Sequence, residues 1–193
     1  MVVEENARGL RGVRYRVSLP SERASQRRSL DERLFVRFPG LYRLFAERVL
    51  RLPLRSRLRR LMLTRFAGRA YAARNRRDFE VMLLGLDPGI EYQPRNDLMP
   101  LDLDSVYYGR DDYRTVWRAM VEAFDDIRFE PEDVLDLGDT LLGTAVVRGT
   151  GSGSGVPVSA QLFQVVRLRR GLVVWQRDFG DRSEALEAAG LRE

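Results

Sequence analysis

Residues 128–191 limit the possible folds more than any other stretch. Four apolar segments follow one another there, separated by turn residues and closed by a helix signal. Residues 128–137 and 139–148 meet at Gly138-Asp139. Residues 156–169 return after a Gly/Ser run, and Arg170-Gly171 is a tight hairpin turn before 172–180. Asp181 then stands where a helix cap accepts backbone hydrogen bonds, with Glu184 three residues on and Gly190 as a stop. Such an order reads as an antiparallel meander ending in a helix.

Upstream the period changes from two to 3.6. Residues 29–51 read as an amphipathic helix broken at Pro39-Gly40. Leu30, Leu34, Phe35 and Phe38 form a stripe that Leu41, Leu44, Phe45, Val49 and Leu52 continue, with Arg33, Arg37, Arg43, Arg48 and Arg51 on the wet side. A second helix is expected from near Ser56 to Asn75. Asp78 opens a short helix reaching Gly85, Asp87-Pro88-Gly89 turns, and 90–93 is a strand. After a loop over 94–108, Asp111 or Asp112 is expected to cap a helix over 113–126. Helices on one face of a curved antiparallel sheet make this an α+β fold. The expected divisions are a basic, disordered or loosely attached tail over 1–28, an Arg-rich helical extension over 29–65, and the domain proper over 66–193.

Composition removes whole classes of chemistry. The 193 residues contain no Cys, no His and no Lys. Thiol nucleophiles, Ser–His–Asp catalysis, His- or thiolate-bound zinc and Schiff bases are therefore excluded, and no metal or cofactor is expected. Catalysis has Asp, Glu, Tyr, Arg and water to work with. Charge is split: residues 1–65 hold 17 Arg and 6 acids (+11), residues 66–193 hold 16 Arg and 22 acids (−6), and the sum is the net +5. With no apolar run long enough to span a bilayer and no signal-like N-terminus, the expected location is cytoplasmic.

Three motifs invite chemistry. Gly149 to Gly155 resembles a phosphate-cradling loop, but strand residues follow it where a helix is required, so it reads as a hairpin connection. The acids between Asp125 and Asp139 fit no calcium-loop spacing and read as a solvated face. Asp178 is sharper. Period-two reading puts Val174, Gln176 and Asp178 on one face, with Trp175, Arg177 and Phe179 on the other. A carboxylate facing an enclosed pocket has a raised pKa and can act as acid or base; the alternative is an edge carboxylate paired with Arg.

Together, Asp87-Pro88, Tyr108-Gly109-Arg110-Asp111, the Gly155 turn and Gly171 to Leu191 resemble the NTF2-like superfamily, in its SnoaL-like branch. This resemblance implies a cone of helices over a strongly curved sheet, an apolar pocket at the wide end, and a homodimer. Glu91-Tyr92-Gln93, Met99-Pro100-Leu101 and Arg177-Asp178-Phe179-Gly180-Asp181 partly resemble limonene-epoxide hydrolases. On that likeness Asp178 and Tyr92 match catalytic residues, and Asn96 matches a water-holding Asn across an insertion. The Arg-x-Asp of the relay falls on Ala145 and Val147, which leaves it incomplete. The same matching makes Tyr71, Trp117, Met120, Phe124, Val147, Ala160 and Leu162 the pocket lining.

The resulting expectation is a protein that binds a hydrophobic small molecule, with Asp178 serving an isomerase-, cyclase- or hydratase-type proton transfer. A non-catalytic dimeric module is the alternative, its basic extension docking on an acidic partner, anionic membrane or nucleic acid. Residues 29–65 are expected to pack on the acidic domain, in the same chain or across a dimer, and Trp175 with Phe179 to offer an apolar dimer face.

Overall fold

The computed structural model describes residues 3–5, 11–95 and 106–191. Asn96 and Met99 to Leu101 lie outside the described residues. One mixed sheet contains β1 (Val3–Glu5), β2 (Arg11–Arg16), β3 (Leu86–Gln93), β4 (Tyr107–Tyr108), β5 (Arg128–Asp136), β6 (Thr140–Thr150), β7 (Pro157–Arg169) and β8 (Leu172–Phe179). Its order is β1-β2-β5-β6-β7-β8-β3-β4, antiparallel throughout except that β3 lies parallel to β8. Among the described residues seven helices accompany it: α1 (Glu22–Ser25), α2 (Leu30–Arg37), α3 (Pro39–Leu50), α4 (Arg57–Asn75), α5 (Phe79–Leu84), α6 (Gly109–Glu122) and α7 (Arg182–Ala188).

Strand alternation divides the core in two. Leu162 of β7 and Ala145 and Val147 of β6 join Tyr71 of α4 and Trp117 of α6 in one cluster. Phe163 and Val165 point the other way and meet Phe179 and α7 through Ala185 and Leu186. A bulge between Pro131 and Asp133 reverses the parity of β5, so Phe129 joins the first cluster and Leu135 the second. Asp181 caps α7 as expected, accepting from the Ser183 and Glu184 amides at 2.8 and 3.1 Å. Because α7 covers this face, Phe179 is buried and Trp175 half-buried under the Arg167 guanidinium. The exposed apolar patch expected there as a dimer face is not present.

The helix over 113–126 begins four residues earlier than expected. Gly109 takes φ +85°, Tyr108 is the cap residue, and Asp111 and Asp112 sit inside the first turn, where carboxylates favour the helix dipole.

The N-terminal third differs most from expectation. Arg11–Arg16 is not a loose tail: it pairs antiparallel with β5, Val13 opposite Asp136, and buries Val13 and Tyr15. Alternating Val13, Tyr15 and Val17 supply the apolar face that the arginines between them disguise in the sequence. The extension packs on the domain in the same chain. Ser29 and Glu32 form a capping box at α2, worth about 1 kcal/mol. At Gly171, φ +80° and close approach coincide: a Cβ there would lie 2.7 Å from the Glu47 nitrogen and 2.8 Å from the Arg43 oxygen of α3.

Arg59 ties these parts together. Its Nε and Nη2 donate to the two oxygens of Asp136 at 2.7 and 2.8 Å, with Arg59 2% and Asp136 0% exposed. It also donates to the carbonyls of Leu50, Leu52 (3.0 Å) and Gly138 (2.7 Å). One guanidinium thus joins the end of α3, the start of α4 and the β5–β6 turn.

Candidate functional site

A buried polar cluster sits where α4, α6, β3, β7 and β8 converge. Tyr71 and Arg74 lie three residues apart on α4 and therefore share a helix face. Strand register puts Gln164 directly opposite Asp178, and Gln176 two residues before Asp178 on the same side. Asp178 Oδ1 accepts from Gln164 Nε2 at 2.9 Å and Gln176 Nε2 at 3.0 Å, and Oδ2 accepts from the Tyr92 hydroxyl at 2.9 Å. Behind it, Gln164 Oε1 accepts from Tyr71 Oη at 3.0 Å and Arg74 Nη1 at 2.7 Å. Tyr113 donates to Gln176 Oε1 at 3.4 Å. The Arg74 guanidinium lies 4.9 Å from the Tyr71 ring centre and 5.0 Å from that of Trp117, distances at which ring and cation attract.

Burial dominates the electrostatics. It raises the Asp178 carboxyl, while Gln164, Gln176, Arg74 and Tyr92 pull in the other direction without cancelling it. The Tyr71 hydroxyl is pushed up to about 12, mainly by burial, and Tyr92 lies well above its ordinary value through burial and the Asp178 charge. Burial opposes the charge on Arg74; Tyr113, Tyr71 and Asp178 outweigh it, and the pKa is raised. Arg74 therefore stays a cation beside a carboxyl group that resists ionisation.

Two cavities flank this cluster. The larger, about 230 Å³, runs between the extension and the sheet. Phe35, Tyr42 and Val49 close one side of it, and Tyr71, Arg74, Gln164 and Gln176 form a polar wall on the other. The smaller, about 20 Å³, has Asp178 in its wall together with Trp117, Met120, Phe124, Val147 and Leu162. A space of that size holds about one water.

The expected site is therefore divided between them. Asp178 and Tyr92 meet as a hydrogen-bonded pair, but Tyr92, fully buried, lines neither cavity. Tyr71 faces the larger space; Trp117, Met120, Phe124, Val147 and Leu162 gather round the smaller one. Ala160, paired with Val147 and half-buried, lines neither. Asn96 lies outside the described residues. No group of three or more acidic ligands that could hold a metal exists among the described residues.

Arg74, Gln164 and Tyr113 escape the sequence reading. For Arg74 a signal existed: Leu63, Ala67, Tyr71 and Arg74 recur at helical spacing, which puts the arginine on the buried stripe. Ala145 stands where the resemblance requires the relay's arginine, and α4 supplies the cation instead. Chemically, the larger cavity offers hydrogen-bond donors and a fixed positive charge at one end of an apolar chamber, with a protonatable carboxyl group one amide behind them.

The SnoaL-like domain family profile matches residues 67–176, which include every member of the cluster except Asp178. No curated protein sequence matches the chain. Several solved structures share the fold. An NTF2-like protein of Burkholderia thailandensis is 27% identical, with a TM-score of 0.54 over 65% of this chain and 92% of its own. A protein of ketosteroid isomerase-like fold from Catenulispora acidiphila, crystallised with trimethylamine, is 15% identical at a TM-score of 0.52, covering 65% and 92%. IdmH of Streptomyces antibioticus, a candidate polyketide cyclase, is 20% identical at 0.52, covering 66% and 98%. Nothing in these likenesses narrows the match to limonene-epoxide hydrolases. A profile match over more than half of the chain, carried on an NTF2-like α+β fold, makes this protein a member of the SnoaL-like domain family.

Proposed function

We propose that the protein binds a small, largely apolar molecule with one electron-rich polar end in the larger cavity. The observation that carries this reading is the segregation of that cavity's walls. Tyr71, Arg74, Gln164 and Gln176 form one polar group in its lining, Asp31, Glu32 and Arg69 form a second in which Asp31 pairs with Arg69 and Glu32 with Arg76, and Phe35, Val49 and similar groups supply the apolar wall. A chamber with a few convergent polar groups is the usual form of a ligand site, although its volume lies below the roughly 300–1,000 Å³ of drug-sized sites. Similar folds crystallised with trimethylamine or described as a candidate cyclase support a ligand-binding use of the fold.

A second reading adds chemistry. The raised pKa of Asp178 makes it a stronger base than an ordinary carboxylate, and Gln164 and Gln176 link it to the polar wall. In that reading the Gln164 and Gln176 side chains, which separate Asp178 from the larger cavity, move aside, and Asp178 takes a proton from carbon beside a carbonyl whose oxygen faces Arg74 and Tyr71, as in an isomerisation or cyclisation.

Binding is tested with 2-naphthol and naphthalene, which differ by one hydroxyl group. Amide NMR shifts from 2-naphthol should centre on Tyr71, Arg74 and Gln164 and exceed those from naphthalene. Ala70→Phe, which fills the cavity from α4, should remove them. Absence of shifts in the wild type, or their persistence in Ala70→Phe, refutes the binding reading. Deuterium exchange beside the carbonyl of 2-tetralone tests the chemistry separately: acceleration by the wild type and not by Asp178→Asn is expected. An exchange rate equal to buffer removes the catalytic reading alone.

A further inference from the structure

The two helices that close the cavity carry a second, outward face that the ligand reading does not use. Leu30, Leu34 and Phe38 follow at four-residue spacing along α2, and Leu41, Leu44 and Phe45 continue on α3, all exposed; Leu30 is 83% and Phe38 55% accessible. Phe35, Tyr42 and Val49 of the same helices turn inward to the cavity. The outward apolar groups are thus not left over from incomplete folding, because each helix already has a buried face.

The charge around this face has one sign. Residues 30–50, which make up α2, α3 and their junction, contain four arginines and three acids. Each acid is engaged: Glu32 is buried against Arg76, Asp31 pairs with Arg65 and Arg69, and Glu47 pairs with Arg51. Arg33, Arg37, Arg43 and Arg48 stand exposed among the leucines and phenylalanines. A two-fold contact between copies through this face would set these arginines against each other, since both partners use the same patch. Nucleic acid would neutralise the arginines and leave six large apolar side chains against a phosphate backbone. An anionic bilayer surface satisfies both, taking apolar groups into the acyl boundary and guanidinium groups among the headgroups.

We propose that α2 and α3 form a peripheral docking surface for anionic lipid membranes. The face is held in shape from behind by the Ser29 capping box, the seat of α3 on Gly171, and Arg59. No helix among the described residues is long and apolar enough to cross a membrane; the protein lies on the surface. This inference is independent of what the cavity holds.

The test is flotation of the full chain with vesicles of phosphatidylcholine alone or with a third of phosphatidylglycerol. The wild type should float with the anionic vesicles, stay behind with the neutral ones, and be released by high salt. Arg33→Gln/Arg37→Gln should weaken partitioning roughly 25-fold, at about fivefold per arginine. Leu34→Ser/Phe38→Ser should weaken it roughly tenfold or more, with a melting temperature like that of the wild type because both side chains are exposed. No flotation of the wild type at low salt overturns the proposal, as does flotation unaffected by either double variant. Light scattering that shows a dimer dispersed by Leu34→Ser/Phe38→Ser, without flotation, assigns the face to a second copy instead. Tight binding of a DNA duplex that Leu34→Ser/Phe38→Ser leaves intact, without flotation, assigns it to nucleic acid.

Discussion

Replacing Arg59 with Met tests how firmly the extension is fixed to the domain. The substitution keeps much of the side-chain volume and deletes the guanidinium. Asp136, 0% exposed, then keeps a charge with no cation beside it, and the carbonyls of Leu50, Leu52 and Gly138 each lose a donor. Breaking a buried ion pair from one side costs about 3–5 kcal/mol. For a chain of this size about 2–4 °C of melting temperature go with each kcal/mol, so the fall should be roughly 6–20 °C. Arg59→Met/Asp136→Leu removes the stranded charge too and should recover at least half of the loss, because a buried pair exchanged for apolar groups is often neutral or better. Circular dichroism melts of the four proteins complete a double-mutant cycle. Hydrogen exchange should show protection lost first in α3, whose C-terminal turn the guanidinium holds. A loss under about 1 kcal/mol for Arg59→Met, or a double variant no more stable than the single one, would refute the argument.

Asp178→Asn probes the raised carboxyl group. A folded-state pKa above the ordinary 3.8 means its contribution is fully present below 3.8 and lost as pH rises through the folded value. The Asn variant should therefore gain on the wild type between acid and neutral pH; a relative loss at neutral pH would mean the carboxylate is held low. Tyr92→Phe removes a hydrogen bond that favours the Asp178 carboxylate, so a carboxyl NMR titration should move further upward, at a stability cost of about 1–3 kcal/mol; an unmoved midpoint contradicts the pairing. Gly171→Ala forces a Cβ into α3 at positive φ and should cost about 2–4 kcal/mol, the left-handed penalty and the overlap together. Gly153→Ala, at φ +78° with open space around it, should cost about 1–2 kcal/mol; equal losses for the two would show that α3 does not press on Gly171.

What the sequence made legible followed simple periods. Four strands, the Arg170-Gly171 turn, the Asp181 cap and the helix from Ser56 to Asn75 come from turn chemistry and alternation alone, and the structure has them there. Alternation also put Gln176 and Asp178 on one face. It misled at Trp175 and Phe179, because parity says which face a residue takes and not whether another element, here α7, covers it. Residues 11–16 were missed because arginines at alternate positions mask a strand whose other face is buried. The site is half legible for a similar reason. Asp178 and Tyr92 come together by register, but Arg74 reaches the cluster from a helix about a hundred residues upstream, a juxtaposition that only the closed fold creates.

The two glutamines give the cavity an indirect sense of Asp178. Gln164 cannot turn its amide round, because its carbonyl faces the permanent cation of Arg74. Gln176 faces only the Tyr113 hydroxyl, which accepts as readily as it donates. A proton arriving on Asp178 would seek an acceptor: on Oδ2 the Tyr92 hydroxyl can reverse to take it, and on Oδ1 Gln176 is the amide free to rotate and present its carbonyl. Its amide group would then swing toward Tyr113, and the hydroxyl would reverse. The hydrogen-bonding character of that part of the chamber wall would be rewritten from behind, by a residue outside the larger chamber's wall. Such a chamber would change its preference between donor and acceptor ligands with the protonation of a group they do not contact.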